Sequence, residues 1–480
     1  MSIQICSGKG RGLLLLSELL KDWPCQVFGG IHTEVKGVSE HSTRISEGYL
    51  FIARKGGKTD GICYVEEAIE KGACGIVIDR NAAMAMTDEM SIPLIVVPDC
   101  RKFISYASAR LAGNPSELLT IVAVTGTNGK TTVTHLTSQL LQMANVKTAV
   151  IGTTGVFIDG HQAVTSYPEM TTLPPEHFHQ LLKDLVDAGV THVLLEASSM
   201  GLATSRLAHC NIDIGVFLNI GIDHYEEHGG KQQYLDSKKI LAYQAKTLIA
   251  NSEDEICKQM VADAKVPVHY FDYGTVCGEQ INEERININL PGRHNRMNAF
   301  AALAVLRVLG YELADILPLS QSLQLPEGRL QSLQQDGITV YVDYAHTPDA
   351  LENVLQALAG ECSGKLITVF GCGGDRDHGK RPKMGEVAST YSTEVIITSD
   401  NPRSENPTQI IEEVLQGIRM KENVRVQVDR KSAIYEAIAL AKSGDVVLIA
   451  GKGHEKTQYT KEGVFPFSDY EVAAEAFQYR

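Results

Sequence analysis

The sequence has few features of a zinc-knuckle, secreted or membrane protein. Its ten cysteines are scattered over 480 residues and none form a C-x-x-C pair, which argues against a zinc knuckle. In a chain of this size they are typical of reduced cytosolic thiols, so we expect a cytoplasmic protein. The early apolar run GLLLLSELL, at 12–20, is too short to span a bilayer and predicts an amphipathic helix.

A surplus of basic residues is also missing. The 44 Lys and Arg residues face 58 Asp and Glu residues, and the net charge of -14 argues against nucleic-acid binding and membrane-surface binding. Small anionic ligands remain compatible with this charge, because local loops and helix N-termini bind them. We therefore expect small-molecule partners, no nucleic acid, no membrane insertion and a monomeric chain.

The pattern of apolar runs predicts an α/β protein of three domains. Residues 1–115 mix short β-rich runs with the helical pattern YVEEAIEKG and predict a small N-terminal α/β domain. Residues 116–327 alternate strands and helices, which predicts a mostly parallel sheet like that of a P-loop ATPase. Residues 328–480 contain GITVYVDYA, GKLITVFG, EVIITSD and GDVVLIAG, which predict a C-terminal Rossmann-like sheet. Polar motifs follow these four strands, where such sheets bind ligands.

VTGTNGKTTVTHL, at 124–136, predicts a phosphate-binding loop of unusual length. The usual pattern G-x-x-x-x-G-K-[ST] would place glycine at Val124. Gly126 and Gly129 nevertheless allow close approach of an anion, Lys130 can reach the phosphates, and the Thr131 hydroxyl can hold Mg²⁺. An apolar strand precedes the loop and a helical pattern follows it. The alternative from this stretch alone is a plain glycine turn.

TGTNGKTT resembles the shortened phosphate loop of the Mur ligase family, which also covers folylpolyglutamate synthase and cyanophycin synthetase. DYAHTPDALENVL at 343–355, GCGGDRDHGKRPKMG at 371–385, SDNPRSENP at 399–407 and AGKGHEKTQ at 450–458 extend the resemblance over most of the chain. It implies an ATP-dependent, ADP-forming acid–amino-acid ligase. ATP would convert a carboxylate to an acyl phosphate, and the amine of an amino acid would then displace phosphate.

The resemblance also implies the nucleotide and metal ligands. ATP would contact Gly126, Thr127, Asn128, Gly129, Lys130, Thr131, Thr132, Asn295, Asn298, Arg329 and Asp343. Mg²⁺ would be held by Thr131, Glu196, His224 and Lys238, the last as a carbamate formed with CO₂, and the catalytic residues would be Lys130, His224 and Lys238. Carbamate formation requires a neutral amine, and hence a lysine pKa depressed from about 10.4. Without the family, Lys238 and Lys239 would indicate a solvated helix face.

DNPR, at 400–403, resembles the family members that add meso-diaminopimelate in peptidoglycan biosynthesis. The Arg403 guanidinium would bind the distal carboxylate, which lysine lacks. The implied amino-acid site contains Arg376, Asp400, Asn401, Pro402, Arg403, Gly451 and Glu455. The implied acceptor is UDP-N-acetylmuramoyl-L-alanyl-D-glutamate, bound by Ser42, Thr171, Thr172, Ser198 and Arg206.

The acceptor motifs depart from the family pattern. HST occupies 41–43, where the family usually has Asp-Ser-Arg. TTLPPE at 171–176 has one extra residue, and Met200 replaces a histidine. Two interpretations stay open: a diaminopimelate-adding ligase, or a paralogue that joins a similar amino acid to another carboxylate. A P-loop NTPase or kinase, and a non-catalytic homologue, are the alternatives from other classes.

Overall fold

The computed structural model describes residues 3–4, 12–56, 59–81, 90–221, 223, 225–281, 288–360, 362–419 and 422–480. Within these residues, three large β-sheets carry helices on their faces, and each sheet has its own apolar core. The predicted three-domain α/β class is confirmed. The domain limits at 115/116 and 327/328 stay predictions.

The first sheet has five strands, of which only the first neighbouring pair is antiparallel. Their spatial order is Gln26–Phe28, Leu94–Val97, Ala73–Asp79, Tyr49–Ile52 and Gly37–Ser39. The accompanying helices are Leu16–Leu20, Val65–Glu70 and Cys100–Leu111. The helix predicted over 12–20 is thus only partly present, because Leu14–Leu15 pairs with Glu34–Val35 as a two-stranded ribbon.

The central sheet contains eleven strands, six of which are mutually parallel. The spatial order is Ile3–Gln4, His161–Val164, Gly155–Ile158, Thr148–Gly152, His192–Glu196, Thr120–Thr125, Ile212–Phe217, Ala245–Asn251, Val268–Asp272, Thr275–Val276 and Glu279–Gln280. Helices cover both faces, as parallel sheets require. Their bounds are Lys130–Met143, Pro175–Asp187, Ser199–Ala203, Tyr225–His228, Lys231–Gln244, Glu255–Val261, Arg293–Val308 and Leu313–Ile316.

The third sheet has six strands, and all neighbours are parallel except the first pair. The order is Gln331–Gln335, Ile338–Asp343, Val446–Ala450, Leu366–Phe370, Glu394–Ile397 and Val424–Val426, and the hairpin Thr457–Thr460 with Gly463–Pro466 follows. The helices are Pro348–Ala359, Lys380–Tyr391, Pro407–Leu415, Arg430–Leu440 and Asp469–Gln478. The four strands predicted in this part are all present.

Strand order brings the candidate site residues together. Thr120–Thr125 and His192–Glu196 are adjacent parallel strands, and Glu196 lies opposite Val124. The phosphate loop and the Glu196 carboxylate therefore leave the sheet side by side at its carboxyl edge. A search of the described helices finds none with the length and apolar character needed to cross a membrane.

The helix Pro175–Asp187, which packs on Cys100–Leu111 of the first sheet, carries a completely buried histidine. Neither ring nitrogen of His179 has a hydrogen-bond partner among the described residues. Burial disfavours the charged imidazolium and lowers the pKa of His179 from its usual 6.5 to about 3.

His179 should therefore make folding sensitive to acid. The unfolded chain protonates this histidine below pH 6.5, whereas the folded protein does so only near pH 3, so stability falls as pH decreases through that window. The slope is roughly 1.4 kcal/mol per pH unit. Urea unfolding of His179→Phe should show a flatter acid profile than wild type, and exposed His161→Gln should not. Parallel profiles for wild type and His179→Phe would contradict this expectation.

Candidate active site

A cavity of about 990 Å³ lies beyond the carboxyl edge of the central sheet and also contacts the third sheet and its loops. It brings together eighteen of the predicted residues: Gly126, Thr127, Asn128, Gly129, Lys130, Thr131, Thr132, Thr171, Thr172, Glu196, Ser198, Arg206, Lys238, Asn295, Asn298, Arg329, Asp343 and Arg376. His224 lies outside the described residues. The remaining predicted residues do not line this cavity and are located below.

Contacts within the protein fix the conformation of the phosphate loop. Its Gly129 has a φ of +90°, and a Cβ atom there would lie 2.6 Å from Oδ1 of Asn298. Asn128 donates its backbone N–H to Oδ1 of Asn219 at 2.9 Å, and Nδ2 of Asn219 donates to the Asn128 carbonyl at 3.0 Å. The helix starting at Lys130 adds unpaired backbone N–H groups, which favour anion binding.

Two lysines donate to the same backbone carbonyl under this loop. Nζ of Lys130 lies 2.9 Å from the Gly126 oxygen and 3.0 Å from the Thr127 oxygen. Nζ of Lys238 also lies 2.9 Å from the Gly126 oxygen, and its side chain is buried. Lys239 instead points to the surface, where it contacts Asp263 at 3.4 Å. The structure therefore brings Lys238 into the cavity and not its neighbour.

The two lysines differ in how strongly protonation is disfavoured. Burial lowers the pKa of Lys130, although the nearby Glu196 and Asp223 carboxylates oppose that shift. Burial lowers the pKa of Lys238 much further below its usual value, and the charge of Lys130 acts in the same direction. Lys238 is consequently the amine better suited to exist in the neutral form.

Tyr234 connects the phosphate loop to Lys238. Its hydroxyl lies 2.8 Å from Oγ1 of Thr127, which also accepts the Gly221 N–H at 2.9 Å. The centre of the Tyr234 ring is 4.8 Å from Nζ of Lys238. A four-residue spacing puts Tyr234 and Lys238 on one helix face. The bond from Tyr234 to Thr127 was not predicted from the sequence.

Glu196 is the central carboxylate of the cavity. Its Oε1 accepts from the Thr131 hydroxyl at 2.9 Å and from the Thr153 N–H at 2.9 Å, and its Oε2 accepts from the Thr153 hydroxyl at 3.1 Å. Nη2 of Arg329 donates to the Thr131 hydroxyl at 3.1 Å. Thr153 was not predicted from the sequence; it directly follows the strand Thr148–Gly152, which is parallel to His192–Glu196 and ends at the same edge of the sheet.

The pair of Thr131 and Glu196 fits a magnesium ion. Mg²⁺ prefers oxygen ligands and usually takes only one or two carboxylates, with water and substrate phosphates completing its shell. No cluster of three or more His, Cys, Asp or Glu side chains suited to a metal occurs in the part of the chain that the structure describes. A hydroxyl and one carboxylate beside a phosphate loop are compatible with magnesium bound together with a nucleotide.

Two of the predicted ATP contacts, Asn295 and Asp343, form hydrogen bonds to the backbone. Nδ2 of Asn295 donates to the Pro291 carbonyl at 2.9 Å. The carboxylate of Asp343 accepts two backbone N–H groups at 2.7 Å, those of Leu330 and Ala345, and burial raises its pKa. These bonds fix the backbone that carries Arg329.

Arg329 rests on an aromatic ring that was not predicted. Its guanidinium lies 4.6 Å from the centre of the Tyr344 ring, and Tyr344 also lines the cavity. Tyr344 directly follows Asp343, at the end of the strand Ile338–Asp343. A planar cation stacked on this ring is held in one orientation, toward Thr131.

Four of the five predicted acceptor residues meet beside Glu196. The Thr172 hydroxyl donates to the Glu196 carbonyl at 2.8 Å, the Ser198 N–H donates to that hydroxyl at 3.0 Å, and Nη1 of Arg206 donates to the Thr172 carbonyl at 2.5 Å. Thr171 lies 3.0 Å from the Thr153 hydroxyl. The fifth predicted acceptor residue, Ser42, lies in the unit built around the first sheet (the first-sheet unit) and not beside Glu196.

Ser42 does not line the cavity. It lies in the short 3₁₀ helix Ser42–Arg44 and its hydroxyl donates to Oε2 of Glu67 at 2.7 Å. Its side chain is buried. In this conformation Ser42 therefore supports the first-sheet unit, and its role toward an acceptor stays a prediction.

The predicted amino-acid residues form a second group at the carboxyl edge of the third sheet. Nδ2 of Asn401 donates to Oε2 of Glu455 at 2.8 Å, and Nη1 of Arg403 donates to the Gly374 carbonyl at 2.7 Å. A Cβ atom at Gly373 would lie 2.9 Å from Nη1 of Arg403 and 3.7 Å from Cγ of Arg376. The two arginines thus converge over one glycine.

This group reaches the cavity through Arg376, which lines it. Asp400 is buried and its Oδ2 has no hydrogen-bond partner among the described residues. Gly451 has a φ of +117°, and a Cβ atom there would lie 2.5 Å from that oxygen. Pro402, between Asn401 and Arg403, is buried as well. The loops after two strands therefore pack closely enough to require glycine.

Comparisons with known proteins agree with this geometry. Residues 34–111 match the description "Mur ligase family, catalytic domain", residues 124–276 match "Mur ligase middle domain", and residues 328–453 match "Mur ligase, glutamate ligase domain". Two curated relatives are named UDP-N-acetylmuramoyl-L-alanyl-D-glutamate--2,6-diaminopimelate ligase. The one from Caldanaerobacter subterraneus is 35% identical over 96% of this chain and 98% of its own. That from Aquifex aeolicus is 38% identical over 92% of this chain and 93% of its own.

Solved structures are similar over nearly the whole chain. A structure of a protein with the same ligase name is 30% identical, with a TM-score of 0.66, and the match covers 97% of this chain and 99% of the other. A MurF ligase from Thermotoga maritima, solved in complex with ADP, is 19% identical with a TM-score of 0.58, covering 92% of this chain and 97% of the other. The latter likeness supports the fold alone.

The hydroxyl of Tyr234 should matter for nucleotide affinity. Tyr234→Phe keeps the ring beside Lys238 but removes the bond to Thr127, and loss of one buried hydrogen bond corresponds to about a fivefold weaker affinity. Calorimetric titration with ADP and Mg²⁺ should show this change. Tyr243→Phe, on the exposed side of the same helix, is the matched control and should bind like wild type. Equal affinities in all three proteins would disprove the anchoring role.

Proposed function

The chain belongs to the Mur ligase family, and from this we propose that it uses ATP to join meso-diaminopimelate to UDP-N-acetylmuramoyl-L-alanyl-D-glutamate. One observation carries the proposal: a single cavity contains the phosphate loop, the pair of Thr131 and Glu196, and Arg376. The Arg376 side chain lies near Arg403 of the loop 400–403, over Gly373. The predicted nucleotide residues and one predicted amino-acid residue, Arg376, therefore line one cavity.

The reaction class is an ATP-dependent amide ligation. An oxygen of the acceptor carboxylate attacks the γ-phosphorus of ATP, and ADP leaves. The amino group then attacks the acyl carbon, the nitrogen loses a proton, and phosphate departs. Lys130 and the N–H groups at the start of its helix would stabilise the transferred phosphoryl group. Mg²⁺, held by Thr131 and Glu196, would neutralise charge on the phosphates.

Arg329 would join the third domain to this chemistry. Its guanidinium already donates to Thr131 and rests on Tyr344, so the third-sheet unit contributes a cation to the nucleotide site. A charge supplied from that unit would favour phosphoryl transfer when the amino-acid loops are also close. This arrangement would limit hydrolysis of the acyl phosphate by water.

Lys238 would act as a carbamate. Its buried, pKa-lowered amine is suited to capture CO₂, and the product is a carboxylate able to bind metal. His224 would belong to the same metal environment, but it lies outside the described residues. The carbamate would also place a negative group beside Lys130.

The amino-acid preference would come from Arg403 and Arg376. The Arg403 guanidinium lies over Gly373 beside the Arg376 side chain, and a guanidinium suits the distal carboxylate of diaminopimelate, the group that lysine lacks. A site with an unmatched arginine rejects a substrate without that carboxylate. Glu455 supplies an acceptor for an ammonium of the same amino acid.

A second acceptor remains a candidate, and one observation favours it. Ser42, which survives from the acceptor motif, donates to Glu67 and does not line the cavity. A paralogue with another carboxylate acceptor would not need Ser42 at the cavity. The NTPase, kinase and non-catalytic alternatives are not favoured, because full-length relatives are named ligases. The monomeric state and the cytoplasmic location stay predictions.

Phosphate release tests the proposed function. With ATP and Mg²⁺, release should require both UDP-N-acetylmuramoyl-L-alanyl-D-glutamate and meso-diaminopimelate. Lysine should support about tenfold less, since leaving the half-buried Arg403 without its carboxylate costs about 1.4 kcal/mol. Release with diaminopimelate but only with a different acceptor would identify the paralogue. ATP hydrolysis independent of any amino acid would contradict the ligase.

Carbamate formation on Lys238 has its own readout. Native mass spectrometry in bicarbonate buffer should show an added CO₂ that Lys238→Ala lacks, and ligation should slow in CO₂-depleted buffer. Lys239→Ala is the matched control, because Lys239 is exposed and should change neither result. An unmodified wild-type protein with full activity in CO₂-depleted buffer would rule out the carbamate.

A further inference from the structure

A buried lysine that the sequence analysis did not select lies at the centre of the amino-acid group. Lys452 follows the strand Val446–Ala450, and its side chain is 0% exposed. Its ammonium donates to Oδ1 of Asn401 at 2.9 Å, to Oε2 of Glu455 at 2.8 Å and to the Thr457 carbonyl at 2.8 Å. An ammonium has three N–H groups, so Lys452 has none left for a substrate.

Asn401 is engaged in the same way. Its Oδ1 accepts from Lys452 and from the Tyr459 N–H at 3.0 Å, while its Nδ2 donates to Oε2 of Glu455 at 2.8 Å. The amide oxygen has no lone pair left for another donor. Asn401 and Lys452 consequently act on the same oxygen of Glu455.

Glu455 is left with one available oxygen. Its Oε2 accepts from both Asn401 and Lys452, whereas its Oε1 forms no hydrogen bond in the part of the chain described. The Glu455 side chain remains 27% exposed. A carboxylate fixed through one oxygen presents the other in a defined direction, which suits a charge-assisted bond to an ammonium.

We propose that Lys452 is a positioning residue that fixes Glu455 so that Oε1 receives an ammonium of the incoming amino acid. The proposal rests on the proposed function and extends it to a residue that touches no substrate. Diaminopimelate and lysine both carry the ammonium groups that Glu455 could bind. Lys452 would therefore set the affinity for the amino acid, whereas Arg403 would set the choice between the two.

Steady-state kinetics of Lys452→Met distinguishes this role from general support of the loop. Loss of one fixed charge-assisted contact should raise the KM for diaminopimelate about tenfold. The KM for ATP should stay at the wild-type value, and the ratio of diaminopimelate to lysine use should not change. Lys456→Met is the matched control, because that lysine is 65% exposed and contacts only Glu327, at 3.8 Å, in the described ion pairs.

Lys452→Gln serves as the partial replacement. Its amide can still donate to one of the two side chains, so its KM for diaminopimelate should lie between those of wild type and Lys452→Met. If Lys452→Met does not fold, as judged by ADP binding, the same comparison of KM values is made with Lys452→Gln and tests the proposal.

Three results would overturn the proposal. An unchanged KM for diaminopimelate in a folded variant would disprove the positioning role of Lys452. An equal rise in the KM for ATP would also disprove it, because it would indicate structural support only. Absence of diaminopimelate-dependent phosphate release in the wild-type protein would instead overturn the proposed function, and this inference with it.

Discussion

The carbonyl oxygen of Gly126 accepts from the half-buried Lys130 and the buried Lys238, and the proposed chemistry of the cavity follows from that constraint. Two ammonium groups on one carbonyl repel each other in a medium that solvates charge poorly. The Glu196 carboxylate supports the charge of Lys130, whereas burial and the charge of Lys130 lower the pKa of Lys238 further, despite the nearby Asp223 carboxylate. One lysine is thus suited to phosphate and the other to reaction with CO₂.

Glu196 links the parts of the site that strand order places side by side. It accepts from Thr131 of the phosphate loop and from Thr153 of a neighbouring strand end, so both loops are fixed to one carboxylate. Arg329 adds a connection from the third sheet, through the Thr131 hydroxyl. The proposed nucleotide site therefore depends on contacts between elements far apart in the chain. A small displacement of the third sheet would move Arg329 relative to Thr131 and the phosphate loop.

In the predicted amino-acid site, hydrogen bonds among buried polar residues leave a defined acceptor oxygen for a ligand. Lys452 and Asn401 satisfy each other and one oxygen of Glu455, so the hydrogen-bonding capacity that remains faces outward. The acceptor side is less conventional for the family. Thr171, Thr172, Ser198 and Arg206 meet beside Glu196, while Ser42 is occupied by Glu67, so the first-sheet unit contributes least to the described cavity.

The sequence by itself predicted the strands and the phosphate loop, because apolar runs and glycine spacing are local properties. The family resemblance named Glu196 and Lys238, and parallel strands explain why Glu196 lies at the same edge of the sheet as the phosphate loop. Only the tertiary structure decided that Tyr234 bonds Thr127, that Thr153 shares Glu196, that Ser42 pairs with Glu67, and that Lys452 is the centre of a network. These outcomes depend on which distant segments meet and which polar groups must find partners once water is excluded, and no local pattern carries that information.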